Sequence, residues 1–165
     1  MITQTRLKEL LDYNPDTGVF TWKVRRSNIA AGTVIFSRHS HGYFQVGVDK
    51  KRYLAHRLAW LYVYGEMPEH EIDHINHDPA DNRIKNLRCV THAENLKNAS
   101  LQKNNLSGIN GVHYDKSRSK WMAHIQVQKK FKNLGRFDSF EDAVFARKTA
   151  EIRYGFHENH GCIAL

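Results

Sequence analysis

EIDHINHDPADNRIKNLRCVTHAEN, Glu71 to Asn95, is the stretch whose reading decides the fold. From Glu66 to Asp81 the chain carries six carboxylates and no Lys or Arg, although the 165 residues together have a formal net charge of +8. Glu71–His74 reads as a strand, since Pro68 and Pro79 leave little room for a helix and Ile72 and Ile75 favour extended backbone. Asp78-Pro79 and Asp81-Asn82 are turn chemistry, and Leu87–Val90 reads as a second short strand. Thr91-His92-Ala93-Glu94 has the form of a capping box, opening a helix that runs to about Ser100. The span is therefore strand, loop, strand, helix, with Asn82 and Asn86 holding the loop.

Three readings of this acidic island compete. In the plainest it is a solvated loop with incidental acids and histidines. In the second, His70-Glu71-Ile72-Asp73-His74 matches the zinc-protease pattern H-E-x-x-H. That pattern works on a helix, where the two histidines share a face, and no apolar helix carries it here. In the third, the island serves phosphodiester chemistry. Such a reaction needs a base to take a proton from water and a cation to neutralise charge growing on the phosphate. The neutral imidazole of His74 suits the first task, and hard oxygens from Asp73 and Asn95 suit a Mg²⁺ ion in the second. Successive strand residues point to opposite sides, so a local twist must bring Asp73 and His74 to one centre.

The run I-D-H-I-N, then D-N-R-I-K-N-L-R-C-V-T and E-N, resembles the HNH endonucleases, particularly the phage and intron-encoded homing group. The resemblance implies a ββα-metal core at about 69–100, with His74 as general base, Asp73 and Asn95 on the metal, and Asn86 as the central Asn that pins the loop. Asn95 stands where the family more often has His, which changes the ligand type and keeps the ligand. It implies Mg²⁺, with Mn²⁺ able to substitute; no structural zinc is expected, since Cys89 and Cys162 are the only cysteines and form no C-x-x-C pair. The products implied are a 5′-phosphate and a 3′-hydroxyl, and the setting is a phage gene acting inside a bacterial cell. Residues 12–22 and 55–60 look like the lead-in regions of these nucleases, and His56 is read there as structural.

Residues 98–110 are Asn- and Ser-rich and poor in large apolar side chains. They suggest a linker at 101–110 between a nuclease domain, 1–100, and a second domain, 111–165. That second part shows two alternating segments, Trp121–Val127 and Phe131–Phe137, and a helix capped at Ser139 with Phe140, Ala143, Val144, Ala150 and Tyr154 on its apolar side. Phe145 and Ile152 fall off that stripe. Gly111-Val112, Lys120–Ile125 and Leu134–Phe137 resemble the Apetala-type DNA-binding domain, which implies a three-stranded sheet backed by one helix. His113 and Tyr114 replace the arginines that the plant domains carry there. Trp121 reads equally as a DNA contact or a core residue.

The fold class expected is α+β: the ββα-metal core, an N-terminal mixed α/β region and the C-terminal sheet with its helix. Earlier in the chain, residues 4–12 read as a helix with Leu7, Leu10 and Leu11 on one face, Val19–Trp22 and 42–48 as strands, and Tyr53–Tyr64 as a helix stopped by Gly65. Between Lys103 and Arg136 stand eight Lys or Arg against one acid, and the sequence pI is near 9.6. That excess favours a polyanionic partner, nucleic acid first, and the resemblance implies double-stranded DNA. Candidate contacts are Lys103, Arg118, Lys120, Trp121, Lys129, Lys130, Lys132 and Arg136, with Arg83, Arg88 and Lys97 nearer the site. Two distant cysteines, no signal-peptide pattern and no membrane-length apolar run suggest an intracellular chain acting as a monomer or dimer, with no membrane partner. The rival function is a sequence-specific DNA-binding regulator carrying a nuclease relic.

Overall fold

The computed structural model describes residues 1–38 and 42–163. The chain divides into two compact units, Met1–Thr91 and His92–Leu165. Among the described residues no helix is long and apolar enough to cross a membrane.

The first unit begins with α1, Gln4–Leu10, capped by Thr3, whose hydroxyl accepts from the Arg6 N–H. The helix stops earlier than its leucine spacing suggested, because Leu11–Asn14 is strand β1. Leu7, Leu10 and Leu11 are all buried, so one apolar face is shared by a helix and the strand that continues it. β1 pairs antiparallel with β2, Val19–Trp22, around a turn in which Asn14 Oδ1 accepts from the Asp16 and Thr17 N–H groups. β3, Gln45–Val48, pairs with β4, Lys51–Leu54, through a turn where Asp49 and Lys50 both have positive φ. That is the left-handed pair a two-residue hairpin needs. Helix α2, Ala55–Tyr64, follows directly and ends at Gly65 in the left-handed conformation. The expected helix start at Tyr53 is thus moved two residues on by pairing within the β3–β4 hairpin.

β5, Glu71–His74, and β6, Leu87–Val90, form the third antiparallel pair, with Asp73 opposite Arg88 and His74 opposite Leu87. A 3-10 turn at Ile84–Asn86 leads into β6. The core beneath these hairpins holds Leu7, Leu11, Phe20, Trp22, Val46, Val48, Leu58 and Ile72. The strand at Glu71–His74 removes the zinc-protease geometry, since His70 and His74 do not share a helix face.

The second unit opens with a short helix α3, His92–Asn95, continued as a 3-10 turn at Leu96–Asn98. Residues 99–110 are fastened within this unit. Leu101 N donates to Cys162 O, Gly161 N donates to Ala99 O, and the Ser107 hydroxyl reaches Asn105, Ile109 and Val112. β7 Val112–Asp115, β8 Lys120–Val127 and β9 Lys130–Phe137 form one antiparallel sheet in that order. α4, Phe140–Arg153, is capped by the Ser139 hydroxyl on Asp142 N and covers one sheet face through Ala143, Phe140, Trp121, Val112 and Ala123.

Candidate active site

β5 brings Asp73 and His74 side by side, and both are buried. Asp73 lies opposite Arg88 in the ladder and is held by it, with Nε 2.8 Å and an Nη 2.7 Å from Oδ2. A buried carboxylate without a cationic partner would be costly, and Arg88 supplies that partner. His74 is kept mainly neutral by burial, which pushes its pKa down. Its hydrogen bond to Asn82 and the charges of Asp73, Asp78 and Asp81 oppose that shift. A neutral imidazole is the form that accepts a proton.

Among the described residues, Asn82, His56 and Tyr43 lie around His74. The Asn82 Oδ1 lies 3.5 Å from His74 Nε2, at the outer limit of a hydrogen bond. The His56 ring packs edge-on at 5.1 Å, and Tyr43 lies 5.8 Å away by ring centroids. His56 occupies the first turn of α2, is 5% exposed, and its Nδ1 has no hydrogen-bond partner among the described residues. Burial, followed by His74 and Arg57, pushes its pKa down to about 3.

The loop between β5 and β6 is built by asparagines. Asn86 Oδ1 accepts from Asn76 N, while its Nδ2 donates to Asn76 Oδ1 and Asp81 O. One side chain therefore spans the loop from end to end. Asn76 Nδ2 donates to Asp81, and Arg83 pairs with the same carboxylate and holds its pKa low. Asp78 Oδ1 accepts from Ala80 N, closing the Asp-Pro turn. The acidic island is thus partly consumed by its own loop: of its carboxylates, Asp81 serves Arg83 and Asp73 serves Arg88. Among the described residues no group of three or more His, Cys, Asp or Glu is placed to hold a metal ion. A divalent cation here would draw on Asp73 and on amide or water oxygens, a hard donor set that fits Mg²⁺ better than zinc.

The sequence reading singled out Asn86 and gave Asn82 only a share in holding the loop. Asn82 lies against His74, and Asn86 holds the loop. The signal was the polarity of a residue one place before Arg83, which does not distinguish a turn residue from a ring partner. Asn95, the other proposed metal residue, ends α3 in the second unit.

Of the basic candidates in that second unit, several are engaged internally. Lys97 Nζ donates to Tyr154 O, Arg118 pairs with Asp115, Lys120 pairs with Asp138, and Lys132 lies over the Tyr154 ring. Trp121 packs on Phe140 at 4.7 Å, on the helix side of the sheet, which is the core placement. Lys103, Lys129 and Lys130 are exposed, the last two at the β8–β9 turn. By register, the uncovered face presents His113, Met122, His124, Phe131, Asn133 and Arg136, with His124 stacked on Phe131 at 4.7 Å.

A family model described as HNH endonuclease matches residues 53–97. Protein 3.8 of Escherichia phage T7 is 29% identical over 101 residues, covering 61% of this chain and 84% of that protein. An uncharacterized HNH endonuclease, L247, of Acanthamoeba polyphaga mimivirus is 35% identical over 80 residues, covering 44% of this chain and 20% of that protein. The chain thus spans about a fifth of the mimivirus relative. No solved structure gives a significant match. The β4–α2 junction, the β5–β6 pair and the asparagine-built loop all fall inside the one segment that matches the HNH endonuclease family.

Proposed function

We propose that the chain is a divalent-metal-dependent DNA endonuclease of the homing type, with His74 as general base and Asp73 and Asn95 as metal residues. The observation that carries the reading is the buried Asp73–His74 pair on β5, inside the segment matched by the HNH endonuclease family. His74 takes the proton of the attacking water, and its burial keeps it ready to do so. Asn86 keeps the loop closed around the site, and Arg83 and Arg88 add positive charge where DNA phosphates would lie. The cation, when bound, supplies Lewis-acid stabilisation of charge on the phosphate and the leaving 3′ oxygen. In the second unit, the sheet and α4 are read as an Apetala-type DNA-binding unit. Its uncovered face, with Arg136, would meet bases, while Lys103, Lys129 and Lys130 would meet phosphates.

The rival, DNA binding without cleavage, is favoured by one feature: Arg88 already occupies Asp73. Supercoiled plasmid carrying the target, incubated with Mg²⁺ or Mn²⁺, separates the two. The nuclease gives nicked or linear product, and His74→Ala abolishes it while DNA binding persists. The loss expected is about 10²–10⁴-fold, the usual contribution of a general base. Undiminished cleavage by His74→Ala would remove His74 from the chemistry.

A further inference from the structure

A base acts through one nitrogen, and a neutral imidazole carries its proton on the other. Which nitrogen of His74 is basic is therefore decided by what its ring faces. Asn82 is among the most completely buried side chains in the chain, 2% exposed. Its amide NH₂ donates to Ala80 O at 3.2 Å, which turns the amide oxygen toward His74 Nε2. An amide oxygen only accepts, so a hydrogen bond at this contact requires the hydrogen on Nε2. Tyr43 and His56 flank the ring and limit its rotation.

Asn82 is itself fixed from outside the segment matched by the family. The Tyr13 hydroxyl, on β1, donates to Asn82 O at 2.7 Å, and Tyr13 is 4% exposed. Two residues on, Ile84 N donates to Pro15 O at 3.1 Å. At the tip of the same hairpin, Gly18 has φ +75°, and a Cβ there would stand 2.5 Å from Arg83 N and 2.6 Å from the Asn82 carbonyl carbon. Only a glycine lets the β1–β2 turn lie this close to the Asn82–Arg83 backbone.

We infer that Asn82, clamped by the N-terminal β1–β2 hairpin through Tyr13, is a positioning residue that holds His74 as the Nε2–H tautomer and makes Nδ1 its basic nitrogen. The importance for catalysis rests on the nuclease reading; the tautomer does not. The N-terminal hairpin then belongs to the active-site apparatus as well as to the core.

Long-range ¹H–¹⁵N spectra of the full, ¹⁵N-histidine-labelled chain at pH 7.5 test the tautomer without metal or DNA. His74, assigned by its loss in His74→Ala, should show Nε2 as the protonated nitrogen. Asn82→Ala should move it to a mixture, Asn82→Asp should preserve the wild-type pattern, and Tyr13→Phe should give an intermediate one. In plasmid cleavage, kcat should fall about 10²-fold in Asn82→Ala, within the range of general-base contributions. KM for DNA should change less than threefold, and Asn82→Asp should recover part of the rate. A wild-type His74 protonated on Nδ1 would overturn the inference, as would a His74 spectrum unmoved by both Asn82→Ala and Tyr13→Phe. If Asn82→Ala does not fold, Tyr13→Phe carries the decision alone. Cleavage surviving in His74→Ala, with the tautomer as stated, would sink the nuclease role of His74 and leave the tautomer assignment standing.

Discussion

Acidification should unfold the first unit earlier than its carboxylates alone dictate, and His56 is the cause. Its ring is buried in the first turn of α2, where the helix dipole also disfavours a positive charge. Its pKa is pushed down to about 3, against about 6.5 for an unfolded histidine. Between those two values the unfolded chain binds a proton that the folded chain refuses, so stability falls as pH falls. At pH 5 the difference is about 1.5 decades of proton binding, or about 2 kcal/mol at about 1.4 kcal/mol per decade. Below pH 3 the penalty levels off at about 5 kcal/mol. The assay is urea denaturation of the full chain at pH 7.5 and pH 5 in a Trp121→Phe background, leaving Trp22 and Trp60 of the first unit as reporters. His56→Gln and His56→Phe remove the titration; each has its own packing cost, which cancels when the loss between the two pH values is compared. The wild type should lose about 2 kcal/mol more than either variant. Equal losses in all three would refute a buried, proton-refusing His56.

The same logic of buried charge gives two further expectations. Arg88→Met leaves the Asp73 carboxylate buried without its cation and should cost about 2–3 kcal/mol, less than a wholly buried pair because Arg88 is partly exposed. Since the guanidinium and a divalent ion would draw on one carboxylate, 10 mM Mn²⁺ should raise the melting temperature of Arg88→Met more than that of wild type; an equal rise would separate the ion from Asp73. In the second unit, Arg147 and Glu151 form a buried pair, Nε to Oε1 2.8 Å, and Arg147 also donates to His124 O at 2.6 Å. Arg147→Met should cost about 3–5 kcal/mol in urea denaturation, and adding Glu151→Leu should recover part of it. A double variant no more stable than the single would show that the two side chains are not coupled.

How much of this could be read beforehand depended on whether a feature was local. Glu71–His74, Leu87–Val90, the Ser139 cap and the Gly65 stop are local, and each lies where propensity and turn chemistry put it. The strand Leu11–Asn14 was hidden because Leu10 and Leu11 fit a helical face as well as a strand, and only pairing with Val19–Trp22 decides between them. Arg147 and Glu151 were hidden for the opposite reason. At i and i+4 they read as a solvated helix pair, and their burial depends on residues 111, 124 and 160 closing over them. The apolar Phe145 and Ile152, which fit no stripe, are exposed at 75% and 82%. Nothing in the structure explains them.

The candidate site shows the same division more sharply. Asp73, His74 and Asn86, the residues proposed for the site, are picked out by spacing and residue type alone. What would make His74 a usable base, on the proposed reading, is not in that spacing. It comes from an amide carbonyl oxygen eight residues away, a phenol 61 residues away and a glycine that lets two backbones meet. None of these three groups is given a part in proton transfer or metal binding, so a sequence does not mark them as functional. Their effect is to remove freedom: one ring orientation, one tautomer, one loop position. A site built in this way places its reactive groups in a short motif and spreads its precision over the surrounding fold. Substitutions in the N-terminal hairpin should then lower turnover before they lower affinity for DNA.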